Sequence, residues 1–394
     1  MEVKQIYTLI NSVSSEVLGK TDLVHEDLTG IVDLGNEVFN QNAVDNYVKS
    51  LVNHIGKVVF VNRPYSGKVP SVLMDAWEFG SVLEKISADV PQAEENDTWN
   101  LKDGTEYKQD VFHKPTVSAK FFNSKVTFEV PVSITERQVK ESFSSAAQLN
   151  GFLSMIYNAV EKSMTIKTDA LVMRTINNMI AETLDADKTA FGFVPSTRET
   201  VDYSTASTVR CVNLLRLYNE KTGTHLEADV AITTPDFIRY AAYIMGLYSD
   251  RLQTISTLFN VGGKERFTPK DVLHTVLLSD FAAAAKTYLY ADTFHEDNVL
   301  LPKAETVASW QATGKDYAFD NVSKIDVKSA SGATVSISGV LGVMFDRDAL
   351  GVTNLDKRVT TNYNAKAEFF NNYYKFDAGY FNDTNENFVV FFIA

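Results

Sequence analysis

The sequence lacks the features that cross-link a chain through disulfides or direct it to a membrane. Its single cysteine, Cys211, cannot form a disulfide within the chain, so a reducing compartment is acceptable. No apolar run approaches the roughly 18 to 20 residues of a membrane-spanning helix, and the first segment lacks the basic start and unbroken apolar stretch of a signal peptide. We therefore expect no membrane attachment.

Positive charge is also in deficit. The 37 Lys and Arg residues face 50 Asp and Glu residues, which gives a net charge of −13. A field of this sign repels phosphate and disfavours non-specific binding of nucleic acid through counterion release. Any nucleic acid partner is expected to be enclosed rather than bound tightly.

Motifs that carry chemistry are missing as well. The glycines match neither the phosphate-binding Walker loop nor the dinucleotide fingerprint, and there is no Gly-x-Ser-x-Gly elbow or His-Glu-x-x-His pair. His295, Glu296 and Asp297 come nearest to a metal cluster, but adjacent loop residues rarely converge on one ion. The acidic stretch 94–103 is better explained as a solvated turn than as a cation site. We predict no enzyme activity, no cofactor and no metal.

What the chain does have is length and aromatic surface. Its 394 residues are 45% hydrophobic and 22% charged, which is typical of a globular protein with two or three packing units. The 25 Phe, 17 Tyr and 3 Trp residues need large desolvated surfaces, either inside one chain or between chains.

The first 132 residues predict short helices followed by strands. Apolar spacings of three and four favour helices over the first 60 residues, and a strand is expected from Lys57. Residues 82–132 then predict one long hairpin with a polar, acidic tip that turns at Asp103-Gly104. In its second arm Phe122, Val126, Phe128 and Val130 share one face. An isolated two-stranded ribbon is marginal in water, so this hairpin is expected to rest on a neighbouring subunit.

The strongest helical pattern covers residues 144–184, where apolar residues recur every three or four positions and no proline interrupts. Such a helix would extend about 50 to 60 Å. We interpret its apolar stripe as core packing rather than a cofactor site. The core positions chosen are Leu153, Ile156, Val160 and Ile176.

The remaining chain predicts alternating helices and strands, then mostly strands. Cys211 lies in an apolar pattern that predicts a helix, Asp229–Thr234 predicts a strand, and Thr234-Pro235 predicts the start of a helix. Residues 249–268 predict a projecting loop. Near the end, an alternating face of Phe370, Tyr374, Phe376 and Tyr380 would aggregate if it were exposed.

This order of elements, and above all the closing stretch that enters Asp346-Arg347-Asp348-Ala349, resembles the major capsid proteins of tailed bacteriophages with the Hong Kong ninety-seven-type fold. The resemblance implies an α+β protein with an N-terminal arm, an extended β-hairpin loop, a peripheral domain with a long spine helix, and an axial α/β domain. The implied segments are 1–60 for the arm, 61–81 and 133–207 for the peripheral domain with the spine helix at 144–184, 82–132 for the extended loop, 208–340 for the axial domain, and 341–394 for C-terminal strands that return to the peripheral domain.

The resemblance also implies a mechanical function. Many copies would form hexamers and pentamers and close into an icosahedral shell around double-stranded DNA, within the virion after assembly in the host bacterial cytoplasm. Portal and scaffolding proteins are expected partners. Contacts between subunits are expected from Trp99, Leu101, Tyr107, Phe122 and Phe128. The alternative is the shell of an encapsulin-like protein nanocompartment, which shares the fold but usually has a shorter chain; an enzyme of another type is a distant third.

Overall fold

The structure is a computed structural model that describes residues 3–20, 24–25, 31–40, 46–47, 50, 69–74, 83–88, 91, 93, 95–107, 110, 112–114, 116–138, 146–195, 200–290, 304–311 and 316–394. The predicted strand from Lys57, much of the predicted arm and most of 61–81 lie outside these residues. So does His295-Glu296-Asp297.

Helices occupy three parts of the described chain. Two lie near the N-terminus, at Val3–Leu18 and Ile31–Asn40. The next helix, Ala146–Ala186, has 41 residues and is called the spine helix below. The sequence pattern predicts this helix at 144–184. The others follow it, at Leu214–Thr222, Ala228–Ala231, Pro235–Arg251, Ser279–Tyr290 and Phe319–Val322.

Strands are concentrated in the second half of the chain. In order they are β1 Leu73–Met74, β2 Leu83–Ala88, β3 Val117–Phe122, β4 Lys125–Thr135, β5 Cys211–Asn213, β6 Leu273–Leu278, β7 Ala304–Val307, β8 Ile325–Lys328, β9 Thr334–Ile337, β10 Val340–Asp346, β11 Leu350–Asn364, β12 Phe369–Asn382 and β13 Phe388–Phe392. They form a four-stranded sheet in the order β1-β11-β12-β4, a five-stranded sheet in the order β5-β13-β10-β6-β7, and two ribbons, β2-β3 and β8-β9.

The described chain divides into two compact units. One comprises residues 1–77, 125–172 and 352–379. Its main pairing joins β4 and β12 antiparallel, from Phe369 opposite Thr135 to Gly379 opposite Lys125. Because β4 is an edge strand, the missing N–H of Pro131 costs no sheet hydrogen bond. The buried side of β12 carries Phe370, Tyr374 and Phe376, so this predicted apolar face is confirmed at those three positions.

The second unit comprises residues 78–124, 173–351 and 380–394. Its five-stranded sheet is centred on β10 and β13, and every residue of both strands is buried. Apolar side chains of helices Leu214–Thr222, Pro235–Arg251 and Ser279–Tyr290 form one core with Leu277, Met344 and Phe391 of the sheet. The rings of Phe191 and Tyr203 lie 6.3 and 6.4 Å from that of Phe392, so aromatic residues also pack at this strand.

Four local predictions differ from the structure. The predicted hairpin ran to residue 132, but its pairing ends at Phe122 and the chain from Lys125 pairs with β12 instead. Cys211 lies in strand β5 rather than a helix, because Asn213 caps a helix that begins only at Leu214, its side-chain oxygen accepting from the Arg216 N–H at 3.1 Å. The other two concern Asp229–Thr234 and Tyr380.

Asp229–Thr234 is helix and turn instead of strand. The Thr233 and Thr234 N–H groups donate to carbonyls three residues back, both at 3.1 Å, and lead directly into the helix at Pro235. Tyr380 leaves the buried face because the pairing of β12 with β4 ends at Gly379, after which burial changes sides and Phe381 is buried instead. The ring of Tyr380 lies under the Arg174 guanidinium at 4.8 Å.

Candidate functional site

The two-stranded ribbon β2-β3 is the most unusual surface of the described chain. Leu83 pairs with Phe122 and Ala88 with Val117, so six residues on each strand are matched in an antiparallel register. Side chains alternate between the two faces of a strand. The register therefore gives the ribbon two faces. The inner face carries Leu83, Lys85, Ser87, Ser118, Lys120 and Phe122. The outer face carries Glu84, Ile86, Ala88, Val117, Ala119 and Phe121.

The outer face is apolar and open to solvent. Ile86, Val117 and Phe121 are exposed at 66%, 57% and 63%, and Ala88 and Ala119 extend the same surface. Glu84 is the single charged residue among the six outer positions. Contiguous exposed apolar surface of this kind marks a site of protein interaction. The outer face is therefore a candidate docking surface.

The tip of the ribbon adds further exposed aromatic and aliphatic side chains. Trp99, Leu101 and Phe112 are exposed at 94%, 67% and 86%, and Tyr107 is exposed as well. The predicted turn at Asp103-Gly104 is confirmed, since Gly104 has a φ of 77° and the Thr105 N–H donates to the Lys102 carbonyl. The Tyr107 hydroxyl accepts from the Lys102 N–H at 3.0 Å, which holds its ring beside this turn.

The inner face is attached mainly by charge. The Lys85 Nζ lies 3.0 Å from Asp383 Oδ2 and 2.7 Å from Glu386 Oε1, while the Lys120 Nζ lies 2.9 Å from Asp383 Oδ1. Both carboxylates belong to the turn between β12 and β13 and are almost fully buried. Phe122 completes the attachment, its ring 5.0 Å from that of Phe381.

Electrostatics stabilises the charged forms in this cluster. Burial alone would lower the pKa of Lys85, but its hydrogen bonds and attraction to Glu386 and Asp383 outweigh burial and raise that pKa. Burial likewise acts to raise the pKa of Asp383, and the hydrogen bond from Lys120 with the attraction of Lys85 outweighs it and lowers that pKa. The pair of Lys85 with Asp383 therefore stays charged at neutral pH and helps to hold the ribbon.

The residues predicted for contacts between subunits fall in three places. Trp99, Leu101 and Tyr107 lie at the exposed tip. Phe122 faces its own chain, as described above. Phe128 lies in β4, opposite Phe376 and with its ring 5.1 Å away.

The alternation in the sequence does not predict that Ile86, Val117 and Phe121 form the exposed face. The even-numbered face was preferred because it continues the alternation of Val126, Phe128 and Val130. The adjacent pair Phe121-Phe122 was the available signal, since it puts an aromatic ring on each face of the strand.

The four predicted core positions lie in the spine helix. Ile156, Val160 and Ile176 are buried, at 2% exposure or less. Leu153 lies in the helix, but its side chain is outside the described residues. Within the part of the chain that the structure describes, no helix is long and apolar enough to cross a membrane, and no group of three or more His, Cys, Asp or Glu residues could hold a metal ion.

Comparisons with known proteins match this chain to phage capsid proteins. The family model described as Phi29-like phage major capsid protein matches residues 10–392. Curated proteins give no match. The encapsulin-like alternative is not favoured by the family match.

Solved structures that match this chain are phage capsids, at low sequence identity. The capsid structure of Staphylococcus phage Andhra is 10% identical over 84% of this chain and 86% of its own, with a TM-score of 0.48. That of cyanophage P-SCSP1u is 10% identical over 85% of this chain and 92% of its own, with a TM-score of 0.45. The mature capsid of bacteriophage PhiM1 is 8% identical over 84% of this chain and 89% of its own, with a TM-score of 0.40. The assignment rests on the family model, which spans nearly the whole sequence: the chain belongs to the Phi29-like phage major capsid protein family, and it is a virion component that builds the capsid shell.

Proposed function

We propose that the outer face and tip of the β2-β3 ribbon form a contact between subunits of the shell. The observation that carries this proposal is the exposure of Ile86, Val117 and Phe121 on one side of a ribbon whose other side is attached to its own chain. Covering a side chain of this type stabilises by about 1.5 to 3 kcal/mol. Repeated over many copies, modest interfaces of this kind suffice to close a shell.

The ribbon also fits this role because it is not expected to be stable without a surface that covers it. A two-stranded ribbon is marginal in water, and its outer face lacks any cover within the described chain. An identical subunit is the partner that a self-assembling shell supplies at every position. The rest of the resemblance gives the wider proposal: hexamers and pentamers in an icosahedral shell, an N-terminal arm at 1–60, a peripheral domain with the spine helix, and an axial domain at 208–340.

A substitution on the outer face tests the ribbon contact. Ile86→Glu is expected to give a folded subunit that does not form shells, because it adds a charge to the surface to be covered. Ile86→Val keeps the surface apolar and serves as the control that still assembles. Circular dichroism checks folding, and size-exclusion chromatography with negative-stain microscopy checks assembly.

Deletion of residues 95–108 tests the tip in the same assay. Its expected result is again a soluble, folded subunit without shells. Normal particles from both Ile86→Glu and the deletion would show that the ribbon makes no essential contact between subunits.

We propose further that the shell encloses double-stranded DNA without specific binding. The support is the net charge of −13, which repels the phosphate backbone. Portal and scaffolding proteins are the additional partners proposed, with assembly in the host bacterial cytoplasm. A fluorescence titration of the free subunit with duplex DNA at about 150 mM salt should show no binding tighter than the typical non-specific range of roughly 10⁻⁴ to 10⁻⁶ M. Sub-micromolar binding would contradict the proposal.

A further inference from the structure

The ribbon is joined to a second exposed segment through one buried carboxylate. The Glu386 Oε1 atom lies 2.7 Å from the Lys85 Nζ of β2 and 3.1 Å from the Arg266 Nε. Arg266 belongs to the segment 252–268, which follows helix Pro235–Arg251 and is called the 252–268 loop below. A single carboxylate oxygen thus accepts from two cations on two different surface elements.

Backbone hydrogen bonds close the 252–268 loop on itself. Ser256 and Arg266 exchange two backbone hydrogen bonds, at 2.9 and 3.1 Å, and form an isolated bridge. Ile255, Leu258 and Phe267 around this bridge are exposed by more than half, so the loop, like the ribbon, presents apolar side chains to solvent. The two apolar surfaces lie on separate segments of the chain.

The turn that carries Glu386 is fixed to the loop by its backbone. The Gly262 N–H donates to the Thr384 carbonyl at 2.8 Å, and the Phe388 N–H donates to the Phe259 carbonyl at 2.9 Å. A Cβ at Gly262 would lie 2.0 Å from the Asn385 side-chain oxygen and 3.2 Å from the Asn385 Cα, so this close approach of the loop to the turn requires glycine. The ribbon, in contrast, meets this turn through the long side chains of Lys85 and Lys120.

We propose that Glu386 couples the ribbon to the 252–268 loop, so that a change in the position of one changes the stability of the other. Displacing the ribbon removes Lys85 from Glu386 and leaves Arg266 as the nearby cation of a carboxylate at 7% exposure. Because a buried charge that loses a partner is costly, the Glu386–Arg266 contact then changes, and with it the loop. The inference rests on the proposed function only in that the ribbon would be a contact between subunits.

The inner face of the ribbon explains why this coupling can operate. Of its six side chains only Leu83 and Phe122 are apolar, and Ser87 and Ser118 pair with each other at 3.0 Å. A surface attached through two lysines is held less rigidly than one packed into an apolar core, because both lysine side chains are flexible and partly exposed. Displacement of the ribbon therefore breaks mainly these ion pairs and changes the charge balance at Asp383 and Glu386, while the backbone contacts of the turn with the loop stay in place.

Hydrogen exchange on the unassembled full-length subunit tests the coupling. Lys85→Met, a change in the ribbon, is expected to speed amide exchange in the 252–268 loop, and Arg266→Met, a change in the loop, to speed exchange in β2 and β3. The expected effect is roughly 2- to 10-fold, the lower part of the range that coupling between contacting groups produces. The double variant should change each region by less than the two single changes combined.

Two controls keep this result specific. Lys375→Met removes a partly exposed ammonium that pairs with Glu129 at 3.3 Å, and it should leave both regions unchanged. Glu386→Gln keeps the shape of the side chain and should speed exchange in both regions, which covers the case that either methionine variant fails to fold. If Lys85→Met affects only the ribbon and Arg266→Met only the loop, the coupling does not exist. Shell formation is scored separately by microscopy, so failure of the ribbon contact is distinguishable from failure of the coupling.

Discussion

The spine helix offers a matched pair of substitutions with opposite expected effects. Ile156 is 2% exposed, whereas Ile166, on the same helix and of the same residue type, is 55% exposed. We predict that Ile156→Asp severely destabilises the subunit and that Ile166→Asp does not. Comparing the two removes the effects of helix propensity and net charge, because both variants change them equally.

The magnitude at Ile156 follows from burial. Losing the buried side chain costs about 1.5 to 3 kcal/mol. The new carboxyl must either remain charged in an apolar environment or take up a proton, which at pH 7 costs at most about 4 kcal/mol. Together these approach the 5 to 15 kcal/mol that a folded domain typically has in total, so insoluble or unfolded product is expected. At Ile166 the carboxylate reaches water, and the cost should stay below about 1 kcal/mol.

Soluble yield, circular dichroism and the midpoint of urea unfolding measure the difference. The expected order is wild type close to Ile166→Asp, with Ile156→Asp far below both or absent from the soluble fraction. Equal midpoints for the two variants would refute the assignment of the Ile156 stripe to a core. A strongly destabilised Ile166→Asp would show instead that the exposed stripe is covered in the isolated subunit.

Two further stability predictions concern single sites. Gly339 has a φ of 84°, and a Cβ there would lie 2.1 Å from the Ile393 carbonyl oxygen, whereas Gly332 has a φ of 85° with open space around it. Gly332→Ala should therefore lower the free energy of unfolding by about 1 to 2 kcal/mol, and Gly339→Ala should lower it clearly more. Equal melting temperatures for the two variants would contradict the predicted contact. Asp383 has a pKa held below its ordinary value of 3.8, so its contribution to stability is present above that pH and is lost as the pH falls through the folded pKa. Melting temperatures between about pH 5 and pH 2.5 should therefore fall less steeply for Asp383→Asn than for the wild type, and parallel curves would show that this carboxylate does not contribute.

Local signals in the sequence were sufficient where short-range geometry decides the structure. The long helix follows from apolar residues spaced every three or four positions with no proline between them, and the observed helix is displaced from the predicted bounds by two residues at each end. The turn at Asp103-Gly104 follows from the tolerance of glycine for positive φ, and the helix start at Pro235 follows from its fixed φ. The alternation of β4 follows from the two-residue period of a strand.

The candidate site could be predicted only in part. Its tip was found, because Trp99, Leu101 and Tyr107 stand out as apolar residues in a polar turn. Its outer face was not, because Phe121 and Phe122 are neighbours of equal hydrophobicity. Which of them turns inward depends on Phe381 and Asp383, which the chain supplies far from β3 in sequence.

The amino-acid sequence by itself determined the long helix, the turn at Asp103-Gly104, the helix start at Pro235, the absence of catalytic motifs and, through element order, the resemblance to phage capsid proteins. Tertiary structure alone decided that the chain changes partner at Asn123-Ser124, from β2 to β12, and that the buried face of β12 changes sides after Gly379. It also decided that Lys85 and Arg266 meet on one oxygen of Glu386. The physical reason is that strand register and ion pairing are contacts between distant segments, whose energy depends on positions that no local pattern of residues encodes.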